Sequence, residues 1–272
     1  MVNQAPIRHN GRAMRKLLRW VVATSAVLVL VATTGVAILL RLRRGEAGPV
    51  EVLAPNLLRV QNFLSDVYAA RVGEQVILFD AGMDPNGRAI DLLLRELHRT
   101  RADVTHVFLT HAHADHVAAA ALFPAAEIHI GSADLDVLAH RDSARPLTPR
   151  IFGALLGSVA IEANRPLLDR RSLDVGGERV LALPFPGHTP GSFLYLFRGV
   201  LFTGDSINLD HGVLKSAVAN HSVNPMRNRA SIRNLFTLLG SQSVERVCTG
   251  HGGCTEPGSA TPLLRALVRA QG

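Results

Sequence analysis

THAHADH, Thr110–His116, puts three histidines and an aspartate within seven residues, directly after the apolar, β-branched run VTHVFL. A buried strand followed by that many polar groups reads as a strand delivering ligands at its end. His111 and His113 are two apart, so they leave the strand end pointing the same way. Asp115 and His116 lie one turn further on, where a helix could begin. One short segment can therefore reach two metal centres a few ångströms apart. Imidazole and carboxylate suit zinc and similar divalent ions.

Partners for that segment sit at the ends of other predicted strands. His188 lies in PGHTPGS, Asp205 in FTGDS directly after VLFTG, and His251 in TGHGG directly after VERVC. Each is a weak signal alone, since a histidine in a Gly/Pro loop is usually only a loop residue. In this order they are a strong signal together, because strands that end along one rim of a sheet can converge them on one site. His106, His129 and His140 read as structural. No G-x-S-x-G and no Walker A sequence is present, so neither a serine nucleophile nor a P-loop is expected.

The chain has 272 residues, 47% of them hydrophobic, and a formal charge of +7. The charge is unevenly placed. Residues 1–44 hold eight of the 29 Lys and Arg and no acidic residue, which leaves the remainder at −1. The body has no positive surplus for a phosphate backbone, so nucleic acid is not an expected partner. Trp20–Leu40 is an uncharged apolar run of 21 residues. As a helix it is about 30 Å long, the thickness of a bilayer's hydrocarbon core. It exceeds the apolar region of a cleavable signal peptide, and RLRR follows it directly. It reads as a single-pass membrane anchor. Five positive residues precede it and three follow, which favours a cytoplasmic N-terminus and an extracytoplasmic body.

The expected organisation is a basic flank over residues 1–19, an anchor over 20–40, a linker over 41–49 and one catalytic domain over 50–272. LLRVQ, DVYAARV and QVILFDAG read as successive strands, and residues 87–100 as an amphipathic helix. RVLALPFP, SFLYLF and VLFTG continue the sheets. Residues 229–240 read as a second helix and Thr261-Pro262 as the start of a last one. Asp136–Arg171 shows few strand signals and contains IFGALLGSVAI, Ile151–Ile161. At 11 residues that stretch is too short to span a bilayer. It reads either as a helix buried on the domain's own sheet or as a lid that touches the membrane surface.

Asp80 in LFDAG, then HAHADH, His188, Asp205 and His251 occur in the order of the metallo-β-lactamase-fold hydrolases, and the chain resembles that superfamily over roughly residues 50–260. The resemblance implies an α/β fold: a four-layer αββα sandwich, here preceded by one N-terminal transmembrane helix. It implies two divalent metal ions, with zinc expected and iron or manganese as alternatives. His111, His113 and His188 would bind the first ion, Asp115, His116 and His251 the second, and Asp205 would bridge them. Asp80 would support the ligand loop by hydrogen bonds. Asp115 would also act catalytically, orienting the nucleophile and passing a proton to the leaving group. A metal-bound hydroxide, available near neutral pH, would attack an ester, thioester, lactone or amide carbonyl of a small molecule, lipophilic if the body works at the membrane surface.

The branch is less specified. The cluster is glyoxalase II-like, but 21 residues after His251 leave no room for the glutathione-binding helical domain of that group. The tyrosine expected shortly after the bridging aspartate in acyl homoserine lactonases is absent. A mononuclear iron persulfide dioxygenase and a β-lactamase are the alternatives. Lys215, His221 and Asn224 follow Asp205 in a predicted loop and are candidates for contacting substrate, with ordinary exposed loop residues as the other reading. Cys248 and Cys254 flank His251. They could pair outside the cytoplasm, but a strand residue and a loop residue need not meet disulfide geometry, so pairing stays open.

Overall fold

The computed structural model describes residues 11–44, 46–139 and 161–272. The chain divides into two compact units, Met1–Arg41 and Leu42–Gly272. The first is carried by helix α1, Gly11–Arg44. Its segment Met14–Ala37, 24 residues with none of the span buried, is long and apolar enough to cross a membrane, a test that a signal sequence also passes.

The second unit is built on two main sheets. The larger has seven strands in sequential order: β1 Ala47–Ala54, β2 Leu57–Asn62, β3 Ser65–Val72, β4 Gln75–Phe79, β5 Val104–Phe108, β6 Glu127–Gly131 and β7 Arg165–Leu167. Neighbours from β1 to β4 are antiparallel, and those from β4 to β7 are parallel. The parallel half brings the ends of β4, β5 and β6 to one rim. The second sheet has the order β14-β11-β10-β9-β8. Its strands are β8 Arg171–Val175, β9 Glu178–Pro184, β10 Phe193–Phe197, β11 Val200–Phe202 and β14 Arg246–Cys248. Strands β11 and β14 are parallel, with Phe202 opposite Cys248, so the residues after both leave from the same edge.

Three apolar clusters define the layers. Val104 and Val107 of β5 face a cluster shared with Ile90, Leu93 and Leu94 of helix α2, Arg88–Glu96. Phe108, on the opposite face of β5, packs between the sheets with Phe79, Tyr195 and Phe202. Phe79 and Phe202 stack with centroids 3.9 Å apart. Each such ring contributes roughly 1.5–3 kcal/mol by leaving water. A third cluster covers the outer face of the second sheet. It joins Leu181, Leu194 and Leu201 to Ile232, Leu235 and Leu264 of the C-terminal helices. Helix, sheet, sheet, helix is the expected αββα sandwich.

Several local expectations need correction. The predicted linker is short, because α1 runs through Arg44 and β1 begins at Ala47. The predicted helix over residues 229–240 is two helices, Pro225–Arg233 and Leu235–Leu239. Pro225 occupies the first turn, and the Asn224 side chain caps it by accepting from Arg227 N at 2.9 Å. Those two residues move the start upstream. The predicted loop after Asp205 contains a hairpin, β12 Ile207–Asp210 and β13 Val213–Ser216. His211 and Gly212 make its turn with φ of 47° and 78°, the double left-handed geometry of a tight hairpin. Of the stretch Ile151–Ile161, only Ile161 is described, and it is buried in the α2-side cluster; the rest lies outside the described residues.

Candidate metal centre

The rim formed by the ends of β5, β9, β11 and β14 gathers all seven candidate ligands into two groups. His111, His113, His188 and Asp205 offer one ligand atom each within 4.8 Å of one another, and so do Asp115, His116 and His251. Asp205 reaches both. Its Oδ2 lies 3.6 Å from His188 Nε2. Its Oδ1 lies 3.3 Å from His116 Nε2 and 3.2 Å from His251 Nε2. Asp115 Oδ2 faces His251 Nε2 at 3.3 Å and His116 Nε2 at 3.6 Å.

Close backbone approach makes the convergence possible. A Cβ on Gly250 would lie 2.4 Å from Asp205 Oδ1 and 2.5 Å from His116 Cε1. A Cβ on Gly204, at φ +49°, would lie 2.2 Å from Thr110 Oγ1. Only glycine fits in either place.

The other ring nitrogens are held from behind. His116 Nδ1 bonds Asp80 Oδ2 at 2.8 Å, and His251 Nδ1 donates to the Leu64 carbonyl at 2.6 Å. His111 Nδ1 meets Thr110 Oγ1 at 3.0 Å, and His188 Nδ1 meets Ser222 Oγ at 3.3 Å. Such contacts fix ring orientation and turn Nε2 of these four rings inward, where His188 Nε2 meets Nδ1 of His113 at 3.0 Å. Asp80 sits at φ 58° at the end of β4 and accepts from Thr110 N at 2.7 Å and Thr110 Oγ1 at 2.8 Å. It thus braces both the strand end and His116.

Sequence reading missed Asp134. It is fully buried and ties two ligand loops together. Ala112 N donates to its Oδ2 at 3.0 Å and Thr189 Oγ1 at 2.7 Å, while Gly191 N donates to Oδ1 at 2.7 Å. Its position just after β6, on the same rim as Asp80 and His111, was the available signal. Asp66 and Tyr68 do the same for the His251 loop: Gly253 N donates to Asp66 Oδ2 at 2.8 Å, and Tyr68 OH donates to the Thr249 carbonyl at 2.6 Å.

The possible substrate residues do not gather at the centre in the same way. Lys215, on β13, is half exposed and pairs with Asp210. His221 is exposed, in a short 3-10 turn. Asn224 is the helix cap already described, although its backbone N–H bonds the Gly187 carbonyl beside His188.

Cys248 and Cys254 form a disulfide. The strand residue and the loop residue do meet, because the backbone folds back into an antiparallel bridge between them. The closed loop contains His251. Its chain entropy is worth about 2 kcal/mol to the folded state. Cys248→Ser with Cys254→Ser is expected to lower the melting temperature correspondingly, and a reductant to do the same to the native chain. An unchanged melting temperature in both experiments would show that the loop does not depend on the bond.

The electrostatics separate the two groups. Burial pushes His111 far down, His113 down to about 3 and His188 down to about 4, each with help from neighbouring imidazoles. These rings are neutral at pH 7, the form that binds metal. Burial also disfavours charge on His116 and His251, but carboxylates overcome it. Asp205, Asp115 and Asp80 hold His116 well above its usual value, and Asp205 and Asp115 raise His251 to about 11. Asp115 stays ionised, at about 2: burial works against it, and His116 and His251 more than compensate. The donor set fits a cation. His111 Nε2, His116 Nε2 and Asp205 Oδ1 face the cluster and are buried without a hydrogen-bond partner. Such orphans are costly unless something satisfies them.

The sequence model of the metallo-β-lactamase superfamily matches residues 61–251, a span that contains all seven clustered residues. The chain belongs to the metallo-β-lactamase superfamily. Relatives within it are named as metal-dependent hydrolases and thioesterases. The chain is 32% identical over 166 residues to the uncharacterized protein YobT of Bacillus subtilis, covering 57% of this chain and 66% of that one. It is 30% identical over 128 residues to a probable polyketide biosynthesis zinc-dependent hydrolase, BaeB, of Bacillus velezensis, covering 46% and 48%. It is 28% identical over 169 residues to an atrochrysone carboxyl ACP thioesterase of Emericella nidulans, covering 60% and 48%. The chain thus spans about half the length of the two relatives with named activities. Among solved structures, the metallo-β-lactamase GOB-18 of Elizabethkingia meningoseptica superposes with a TM-score of 0.61 at 19% identity, over 84% of this chain and 92% of that one, a likeness of fold.

Proposed function

We propose that this chain is a membrane-anchored, dinuclear metal-dependent hydrolase that cleaves a small acyl compound at its carbonyl, with thioesters first in order of test. The observation that carries the reading is Asp205, whose two oxygens face two separate groups of histidine and aspartate donors. His111, His113 and His188 would hold one ion, Asp115, His116 and His251 the other, with Asp205 between them. Zinc suits this nitrogen and oxygen set, as iron or manganese also would. When bound, the ions supply an acidified water at neutral pH and polarise the substrate carbonyl.

The chain's own residues supply the rest. Asp115 is an ionised carboxylate with a quarter-exposed side chain, and its Oδ2 points at the same place as His251 Nε2. It can orient the attacking water, take its proton at Oδ2 and release it to the departing thiolate or alkoxide. The low affinity of this carboxylate for protons makes the release fast. Asp80 keeps His116 in one tautomer. Leu64 and Val223 are exposed apolar residues whose backbones bond the His251 ring and the His188 carbonyl. They give the rim an apolar border suited to a lipophilic acyl group. Relatives named as a zinc-dependent hydrolase and as an acyl-carrier thioesterase support the reaction class.

Helix α1, with its basic flanks, supports a membrane anchor. The disulfide supports an oxidising compartment for the body, hence a catalytic unit outside the cytoplasm. Protease added to sealed inverted vesicles is expected to spare the body; digestion there would place it in the cytoplasm. The function is tested by a panel of acyl thioesters, esters, lactones and amides offered to zinc-loaded full chain. Thioester or ester turnover that a chelator abolishes is the expected result. Oxygen consumption on a persulfide, with no acyl hydrolysis, would favour the iron dioxygenase instead.

Metal uptake should also report the two groups by their protons. His116 and His251 are protonated in the metal-free chain at pH 7 and must lose those protons to ligate. His111, His113 and His188 need lose none. Binding of one ion is therefore nearly pH-independent between pH 6 and 8. Binding of the other weakens as pH falls, by about tenfold per pH unit for each displaced proton. Calorimetric titration in buffers of different ionisation enthalpy measures this; equal proton release for both ions would contradict the assignment.

A further inference from the structure

Away from the candidate centre, His106, Glu127 and His129 offer ligand atoms within 4.8 Å of one another. They lie where β5 and β6 begin, on the face that looks into the inter-sheet layer. His106 is the register partner of Glu127, and His129 that of Phe108. At about 3.3 Å per residue, His106 is up to about 17 Å along the chain from His111. We propose that Glu127 Oε2, His106 Nε2 and His129 Nε2 form a further divalent-metal site of the zinc type, separate from the catalytic centre, that ties β5 to β6.

The argument rests on three acceptors facing one point. Glu127 Oε2 is 3.8 Å from His106 Nε2 and 3.6 Å from His129 Nε2, beyond hydrogen-bond reach of both. Two ligands about 2.1 Å from a common ion at the tetrahedral angle stand about 3.4 Å apart, so Glu127 Oε2 is within a few tenths of an ångström of that spacing from each ring nitrogen, while the two rings, whose nitrogens lie within 4.8 Å of each other, must turn toward the ion. The tautomer of His106 is set from behind. Its Nδ1 lies 2.9 Å from Thr105 Oγ1, and that hydroxyl donates onward to Gln75 Oε1 at 3.3 Å. Thr105 therefore accepts from Nδ1–H, and the bare lone pair of Nε2 faces the carboxylate. His129 is 1% exposed, and neither of its ring nitrogens has a hydrogen-bond partner. An ion at Nε2 would satisfy one of them. Stacking holds the His129 ring on Phe108, with centroids 4.6 Å apart, and the His106 ring stands 5.6 Å from it.

Charge sets the expected strength. Burial holds His106 below its usual range and His129 down at about 4, so both rings are neutral at pH 7 without a proton to fill the gap. Glu127 is ionised, and Arg165 holds its other oxygen at 2.8 Å. That contact orients the carboxylate, and Arg165 together with Arg171 also opposes a cation. Glu127 is about 41% exposed, which leaves a route for the ion and for water to complete its shell. The balance points to a site weaker than the candidate catalytic centre. Sequence alone read His106 and His129 as structural, and the stacking is indeed structural; the unsatisfied nitrogens are what add a ligand.

The test is zinc stoichiometry on the full chain in detergent, by equilibrium dialysis against buffered free zinc. Glu127→Gln removes a half-exposed carboxylate, and His129→Phe keeps the aromatic stack, so both should fold. Each is expected to bind one equivalent fewer than the native chain, with affinity at that site lowered at least about 100-fold, since loss of a mere supporting partner already costs 10–100-fold. Hydrolytic activity at limiting zinc should be unchanged. The comparison is a difference between chains, so it stands whatever the catalytic centre holds. Equal zinc content in the native chain and both variants would overturn the site. Loss in Glu127→Gln without loss in His129→Phe would overturn it too, by showing adventitious surface binding.

Discussion

Asp205→Ala is expected to strip the centre of its shared ligand and to lower kcat/KM by more than about 100-fold, the upper end of what loss of a supporting partner costs. In the native chain the Asp205 oxygens face His188 on one side and His116 and His251 on the other. Removing them also removes a carboxylate that raises both His116 and His251. The metal content of the purified variant should fall with its turnover. Asp205→Asn keeps the shape but not the charge and should fall between. Full metal content with undiminished turnover in the alanine variant would mean that Asp205 does not bridge.

The second large effect belongs to a residue that touches no ligand atom. Asp134→Ala orphans two buried donors, Ala112 N and Gly191 N, and leaves Thr189 Oγ1 only Ser192 Oγ, 2.7 Å away, to bond. At roughly 1–3 kcal/mol for each unsatisfied group, and allowing for shared relaxation, the cost is about 2–5 kcal/mol. Stability and metal affinity should drop together, because the same bonds hold the loops of His113 and His188. Asp134→Asn retains acceptor capacity at one oxygen and should recover part of both. Denaturant unfolding of the metal-free chains measures the first and zinc competition the second. Unchanged stability with Asp134→Ala would show that the two loops hold themselves.

These two residues show what a sequence can and cannot display. Asp205 was legible because it directly follows an apolar strand and precedes a polar turn, and so were His111, His188 and His251. Strand ends are local facts, and the parallel arrangement then carries them to one rim. Asp134 also follows a strand, but its role exists only once the loop after Thr189 folds against it, across a separation of 55 residues. The Cys248–Cys254 pair was undecided for the same reason, since its geometry comes from a bridge that Gly252 and Gly253 allow at φ of 104° and 78°. The hairpin after Asp205 was missed although His211-Gly212 marks it. Turn chemistry there favours left-handed backbone at both positions, and a histidine hid the pattern normally written with asparagine. His106 and His129 read only as structural, because neighbours on adjacent strands are invisible along one strand.

The most direct test of the central claim is a metal titration of the metal-free full chain, following hydrolysis of an acyl thioester as zinc equivalents are added, in a variant carrying Glu127→Gln so that only the candidate centre is counted. The account predicts activity that is low at one equivalent, rises to a plateau at two, and requires both donor groups, so that His188→Ala and His251→Ala each fail to reach it. A plateau reached with a single equivalent, unaltered by His251→Ala, would contradict the dinuclear centre.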